Sequence, residues 1–128
     1  MARRSRTPDD PRLTDAELEI MAALWEMGEA DVGDLAVRLS DGRAYTTVAT
    51  LLKIVEQKGF ATSRKDGRRL IYAPATDRPR WQSATVADLV RRVFAGDARA
   101  LVRSLLDSGE VDSAELTAIR RILDGEEP

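Results

Sequence analysis

Four cations, Arg64, Lys65, Arg68 and Arg69, surround the dipeptide Asp66-Gly67, more positive charge than solubility asks of a turn. Upstream, Arg43, Tyr45, Thr46, Thr47, Thr50 and Lys53 bring hydroxyls, a guanidinium and an ammonium together in a stretch without a single carboxylate. Arginine and lysine bind phosphate through charge-assisted hydrogen bonds, while threonine offers a hydroxyl to a phosphate or a base and a methyl to thymine. The chemistry within reach is therefore noncovalent recognition of a polyanion. The competing account is local capping and solvated surface for the threonines, and an ordinary charged hairpin tip for the cations.

The rest of the composition removes most other chemistry. The chain of 128 residues has no Cys and no His, so thiol nucleophiles, imidazole bases, disulfides and the usual zinc, haem and iron–sulfur ligands are missing. Carboxylate-held magnesium and hydroxyl chemistry remain, but no acidic cluster falls in a cleft-forming loop, and Asp66-Gly67 reads as turn chemistry. No catalytic residue, metal or cofactor is assigned, and the expectation is a protein that is not an enzyme. Trp25 and Trp81 read as packing residues.

Total charge, 20 basic against 22 acidic residues for a net of −2, argues against a polyanion partner until its distribution is read. Residues 13–42 hold one basic residue, Arg38, against eight acids, whereas residues 43–72 hold seven basic residues against Glu56 and Asp66. Patch charge, not the total, sets affinity for a polyanion.

The elements that must position these groups follow from periodicity. Thr14 and Glu17 stand in capping-box register, flanked by Leu13 and Leu18 as a staple, and open a helix carrying Leu18, Met21, Ala22, Leu24 and Trp25 that Gly28 ends. Asp31 caps a short helix with Val32, Leu35, Ala36 and Leu39, which stops at Ser40-Asp41-Gly42. A third helix, 45–58, has the apolar stripe Val48, Leu51, Leu52 and Val55 and the opposite polar face Thr46, Thr50, Lys53 and Gln57. Residues 60–65 and 68–73 then predict two strands joined by a type I′ turn at Asp66-Gly67. The order helix, short helix, polar-faced helix, basic hairpin is that of a winged helix-turn-helix, whose third helix fits the major groove.

Pro74, Thr76, Asp77 and Pro79 mark a boundary. Beyond it lie helical stripes with Val86, Leu89, Val90, Val93 and Phe94, then Leu101, Val102, Leu105 and Leu106, then Leu116, Ile119, Ile122 and Leu123. About fifty residues are near the limit for independent folding, so these stripes must be covered, by a second copy or by folding back on the first domain. The expected organisation is a flexible basic arm over 1–12, with Arg3, Arg4, Arg6 and Arg12, a winged-helix domain over 13–76 and a three-helix dimerisation domain over 77–128. No apolar run reaches the length of a membrane span and the N-terminus lacks a signal's apolar core, so the expected location is cytoplasmic, without membrane insertion.

Leu13-Thr14-Asp15-Ala16-Glu17-Leu18-Glu19-Ile20-Met21 with Leu24-Trp25, Ala44-Tyr45-Thr46-Thr47-Val48 with Thr50-Leu51-Leu52, Glu56-Gln57-Lys58-Gly59, and Lys65-Asp66-Gly67-Arg68 through Tyr72-Ala73-Pro74 together resemble the BlaI/MecI/CopY family of penicillinase repressors. The resemblance implies a homodimeric repressor on a palindromic double-stranded DNA operator. Copper-responsive relatives sense metal through C-terminal cysteines, which this chain lacks. β-Lactam-responsive relatives are cut by a membrane metalloprotease at an Asn-Phe bond, and the position equivalent to it here is Ser104-Leu105. Release by a membrane-bound protease cutting in that helix, or by another signal, is the corresponding expectation. A protein-interaction module and a small-molecule-responsive regulator are the alternatives.

Overall fold

Thr14 and Glu17 open α1 (Asp15–Met27) as their spacing requires: the Thr14 hydroxyl accepts from the Glu17 N–H at 3.1 Å, and the Glu17 carboxylate accepts from the Thr14 N–H at 2.9 Å. Gly28 ends the helix at φ +84°, a backbone that residues with a Cβ rarely adopt. The structure is a computed structural model that describes residues 7–39 and 44–126. It divides into a unit ending at Asp88 and a second beginning at Leu89.

In the first unit, α1 is followed by α2 (Val32–Leu39), α3 (Tyr45–Gln57), β1 (Ala61–Asp66), β2 (Arg69–Pro74) and the start of α4 (Arg78–Val93). Asp31 and Asp34 cap α2 reciprocally, each carboxylate accepting from the other's N–H, at 2.8 and 3.2 Å. The expected stop of this helix at Ser40-Asp41-Gly42 lies outside the described residues. Val48, Leu52 and Val55 of α3 are fully buried against Ile20, Met21 and Leu24 of α1 and Leu35 of α2. Phe60 and Tyr72 bring the hairpin into the same core.

Two strands alone are marginal, and a third segment supports them. Ala30 bridges to Tyr72 through two backbone hydrogen bonds of 3.0 and 2.8 Å, which places the α1–α2 connection along the outer edge of β2. The hairpin itself corrects the expected turn. Asp66 pairs with Arg69, so the central turn residues are Gly67 and Arg68 rather than Asp66 and Gly67. Only Gly67 has positive φ, +66°, the pattern of a type II′ turn. This register asks no residue with a Cβ to adopt left-handed backbone, and it sets Asp66 directly opposite Arg69.

The segment 7–12, expected within a flexible arm, is instead tied down. Pro11 is fully buried and its carbonyl accepts from the Trp81 indole at 2.8 Å, while the hydroxyls of Thr7 and Thr76 lie 2.8 Å apart. Arg3, Arg4 and Arg6 lie outside the described residues. The Trp25 indole donates to the Thr76 carbonyl at 2.8 Å, the Trp25 and Trp81 rings stand 5.5 Å apart, and the Arg78 guanidinium lies 5.5 Å from the centre of the Trp25 ring. Both indoles thus pack and satisfy their N–H groups within the first unit.

Glu17 is buried in α1 and receives the Lys58 ammonium at 2.6 Å. Burial raises its carboxyl pKa, but Lys58 and the Thr14 N–H more than offset that, leaving it below the ordinary glutamate value. Because the folded value is depressed, this group's contribution is present above pH of about 4.3, the unfolded value, and is lost as pH falls through the folded one. Lys58→Ala should cost about 1–2 kcal/mol at pH 7, less than a fully buried pair because the lysine side chain is 39% exposed. Urea unfolding at pH 7 and pH 3 should show that cost shrinking at the lower pH.

The second unit comprises the end of α4, α5 (Ala98–Asp107) and α6 (Ser113–Leu123). Asp97 caps α5, and Asp112 with Glu115 forms a full capping box on α6. Its apolar stripes form as expected but have no interior: no residue of α4, α5 or α6 is buried. Leu89, Val90, Phe94, Leu101 and Leu116 are half-buried, and Val93, Leu105, Ile119 and Leu123 are exposed, Leu123 to 79%. Val86, also exposed, falls in the part of α4 that belongs to the first unit. Among the described residues no helix is long and apolar enough to cross a membrane.

Candidate nucleic-acid interface

The apolar stripe of α3 faces the core, so its other side is fixed outward. Tyr45, Thr46, Thr47, Thr50 and Lys53 are all exposed along it, Tyr45 to 60%. Ala44 precedes the helix in extended backbone and offers no side-chain cap, while its carbonyl accepts from the Thr47 N–H at 3.0 Å. The positive end of the helix dipole at this N-terminus suits a phosphate oxygen. The Thr50 hydroxyl donates to the Thr46 carbonyl at 2.9 Å. Its proton is spent, so it meets a partner as an acceptor, fitting a base amino group better than a phosphate. Arg43 lies outside the described residues.

The wing treats its four cations differently. Lys65 and the turn residue Arg68 are exposed and make no ion pair with a described residue. Arg64 reaches Glu29 at 2.7 Å, and Arg69 reaches Asp31 at 2.8 Å and Asp34 at 3.3 Å. The Asp34 backbone N–H, and then the Arg69 guanidinium, hold the Asp31 carboxyl below its ordinary value. Charges segregated along the chain are thus partly recombined in space, because the Ala30–Tyr72 bridge carries Glu29, Asp31 and Asp34 to the hairpin. The sequence does not mark these acids as partners of the wing, since a one-residue bridge leaves no periodicity. With Lys58 committed to Glu17, the basic residues of the expected interface that make no ion pair among the described residues are Lys53, Lys65 and Arg68.

Among the described residues no three acids converge on a metal position. A recess of about 590 Å³ near the end of α3 is lined by Glu56 and Lys58 among others, but Glu56 accepts from Ser63 and Lys58 is held by Glu17.

Three helices closed by a two-stranded wing, with the third helix turning an acid-free polar face outward, define a winged helix-turn-helix. The penicillinase repressor family model matches residues 13–125, and the chain belongs to that family. It is 24% identical over 116 residues to the penicillinase repressor of Bacillus licheniformis, covering 89% of this chain and 91% of that one. To the methicillin resistance regulatory protein MecI of Mammaliicoccus sciuri it is 22% identical over 113 residues, 87% of this chain and 92% of that one. Among solved structures, the DNA-binding domain of the repressor BlaI is 29% identical with a TM-score of 0.50, covering 55% of this chain and 88% of that one.

Proposed function

We propose that the protein is a cytoplasmic transcriptional repressor that binds double-stranded DNA through α3 and the wing, as a homodimer on a palindromic operator. The observation that carries this reading is the exposed, acid-free face of α3 accompanied by Lys65 and Arg68, cations with no ion pair among the described residues, in a chain whose net charge is −2. In this reading Tyr45, Thr46, Thr47 and Thr50 meet base edges and phosphates, and Lys53, Lys65 and Arg68 neutralise the backbone. The uncovered stripes of α5 and α6 support a second copy as the cover, since a two-fold partner supplies the same apolar patch to both chains.

Release by proteolysis has a site in keeping with this arrangement. Ser104 and Leu105 are both exposed on α5, and a cut between them detaches the α6 stripe of Leu116, Ile119 and Leu123 from the rest of the unit. A membrane-bound protease is the proposed partner for that step, with another inducing signal as the alternative.

The test is a binding titration over 50–300 mM salt on duplex DNA selected from a random pool by the protein itself. Lys53→Ala should weaken binding about tenfold and lower the salt slope by about two, one lost phosphate contact per protomer. Isotherms unchanged by both Lys53→Ala and Arg68→Ala across the series would overturn the reading.

A further inference from the structure

Arg69 differs from the other wing cations in what surrounds it. Its Nε donates to Asp31 Oδ2 at 2.8 Å and its terminal nitrogen to Asp34 Oδ2 at 3.3 Å, so one guanidinium spans two carboxylates. Asp31 is itself fixed, because its other oxygen caps α2 by accepting from the Asp34 N–H at 2.8 Å, and its residue neighbour Ala30 is bonded to Tyr72. Across the hairpin, Asp66 pairs with Arg69 in the strand register. A phosphate approaching Arg69 would meet two carboxylates for one guanidinium, and hence no net positive charge. Arg68, one residue away, stands in the turn with no carboxylate partner among the described residues.

We propose that Arg69 is a positioning residue of the wing rather than a phosphate contact. It clamps the tip of the hairpin to the capped N-terminus of α2, through Asp31 and Asp34, so that Lys65 and Arg68 are held at a fixed place relative to α3. The clamp joins the wing to an α2 N-terminus that lies 35 and 38 residues earlier in the chain. Exposed ion pairs are ordinarily weak, but this one shares a carboxylate with a helix cap and spans two acids, which reduces the freedom lost on forming it. The inference rests on the DNA-binding reading only for its consequence, since the clamp is a property of the free protein.

Two measurements separate the outcomes. Amide hydrogen exchange on the free protein should show wing residues 64–70 exchanging about tenfold faster in Arg69→Ala, and unchanged in Arg68→Ala. Asp31→Asn, which keeps a capping side chain but removes the charge, should raise wing exchange in the same way, and the double variant should add little to either single change. On the selected duplex, Arg69→Ala should weaken binding about threefold to tenfold at an unaltered salt slope, whereas Arg68→Ala should lower the slope as Lys53→Ala does. A salt slope that falls in Arg69→Ala as it does in Arg68→Ala, or wing exchange indifferent to Arg69→Ala, overturns the positioning role. Faster wing exchange in a protein that selects no duplex leaves the clamp standing and removes the DNA-binding reading.

Discussion

Ile119→Asp combined with Leu123→Asp is expected to convert the proposed homodimer to a monomer and to weaken operator binding by at least a hundredfold. The two positions lie one helical turn apart on α6, 36% and 79% exposed in the single chain, so neither substitution breaks an intrachain core. In a dimer they would face apolar neighbours, and a carboxylate buried there without a partner is strongly unfavourable. Two half-sites held on one dimer raise each other's effective concentration, which multiplies affinity by about 10²–10⁴ without any new contact. Sedimentation equilibrium should report the halved mass, and the same variant should retain the salt slope of a single half-site. A dimer of unchanged mass would place the dimer contact elsewhere.

Phe60→Ala is expected to cost about 3–5 kcal/mol, a large part of the stability of a domain this size. Phe60 is fully buried at the joint between α3 and β1, where its N–H donates to the Val55 carbonyl and its own carbonyl accepts from the Ala75 N–H. The backbone bonds survive the substitution, but the ring that seats the hairpin in the helical core does not. Urea unfolding of the first unit should shift accordingly, while Lys65→Ala, at an exposed position, should stay within about 0.5 kcal/mol of wild type. Operator affinity should reverse that order at low denaturant, falling for Lys65→Ala while the folded Phe60→Ala protein retains its α3 contacts.

What the sequence makes legible are features written in neighbouring residues. The Thr14–Glu17 box, the Asp31 cap, the α3 stripe and the Asp112–Glu115 box each need only four to eight residues and a period of 3.6. The helical phase of α1 is less well defined. Leu18 is half-buried, whereas Ile20, absent from the expected stripe, is fully buried, because the centre of a broad apolar face is chosen by what α3 and β2 bring against it. Contacts across long separations leave no local trace. Pro11 with Trp81, Ala30 with Tyr72 and Arg69 with Asp31 all depend on the assembled fold. The free cations of the interface are accordingly fewer than the basic residues counted along the chain.

The pairing of Trp25 with Trp81 gives the molecule an optical property. These are the chain's two tryptophans, and they sit in one cluster within the unit that ends at Asp88. Their emission therefore responds to the winged helix, and chiefly to the place where Pro11, Thr76 and α4 meet, whereas far-ultraviolet circular dichroism sums over every helix. Residues 89–128 contain neither tryptophan nor tyrosine. Recorded on one sample, the two signals resolve separate melting of the DNA-reading unit and the C-terminal helices without a label.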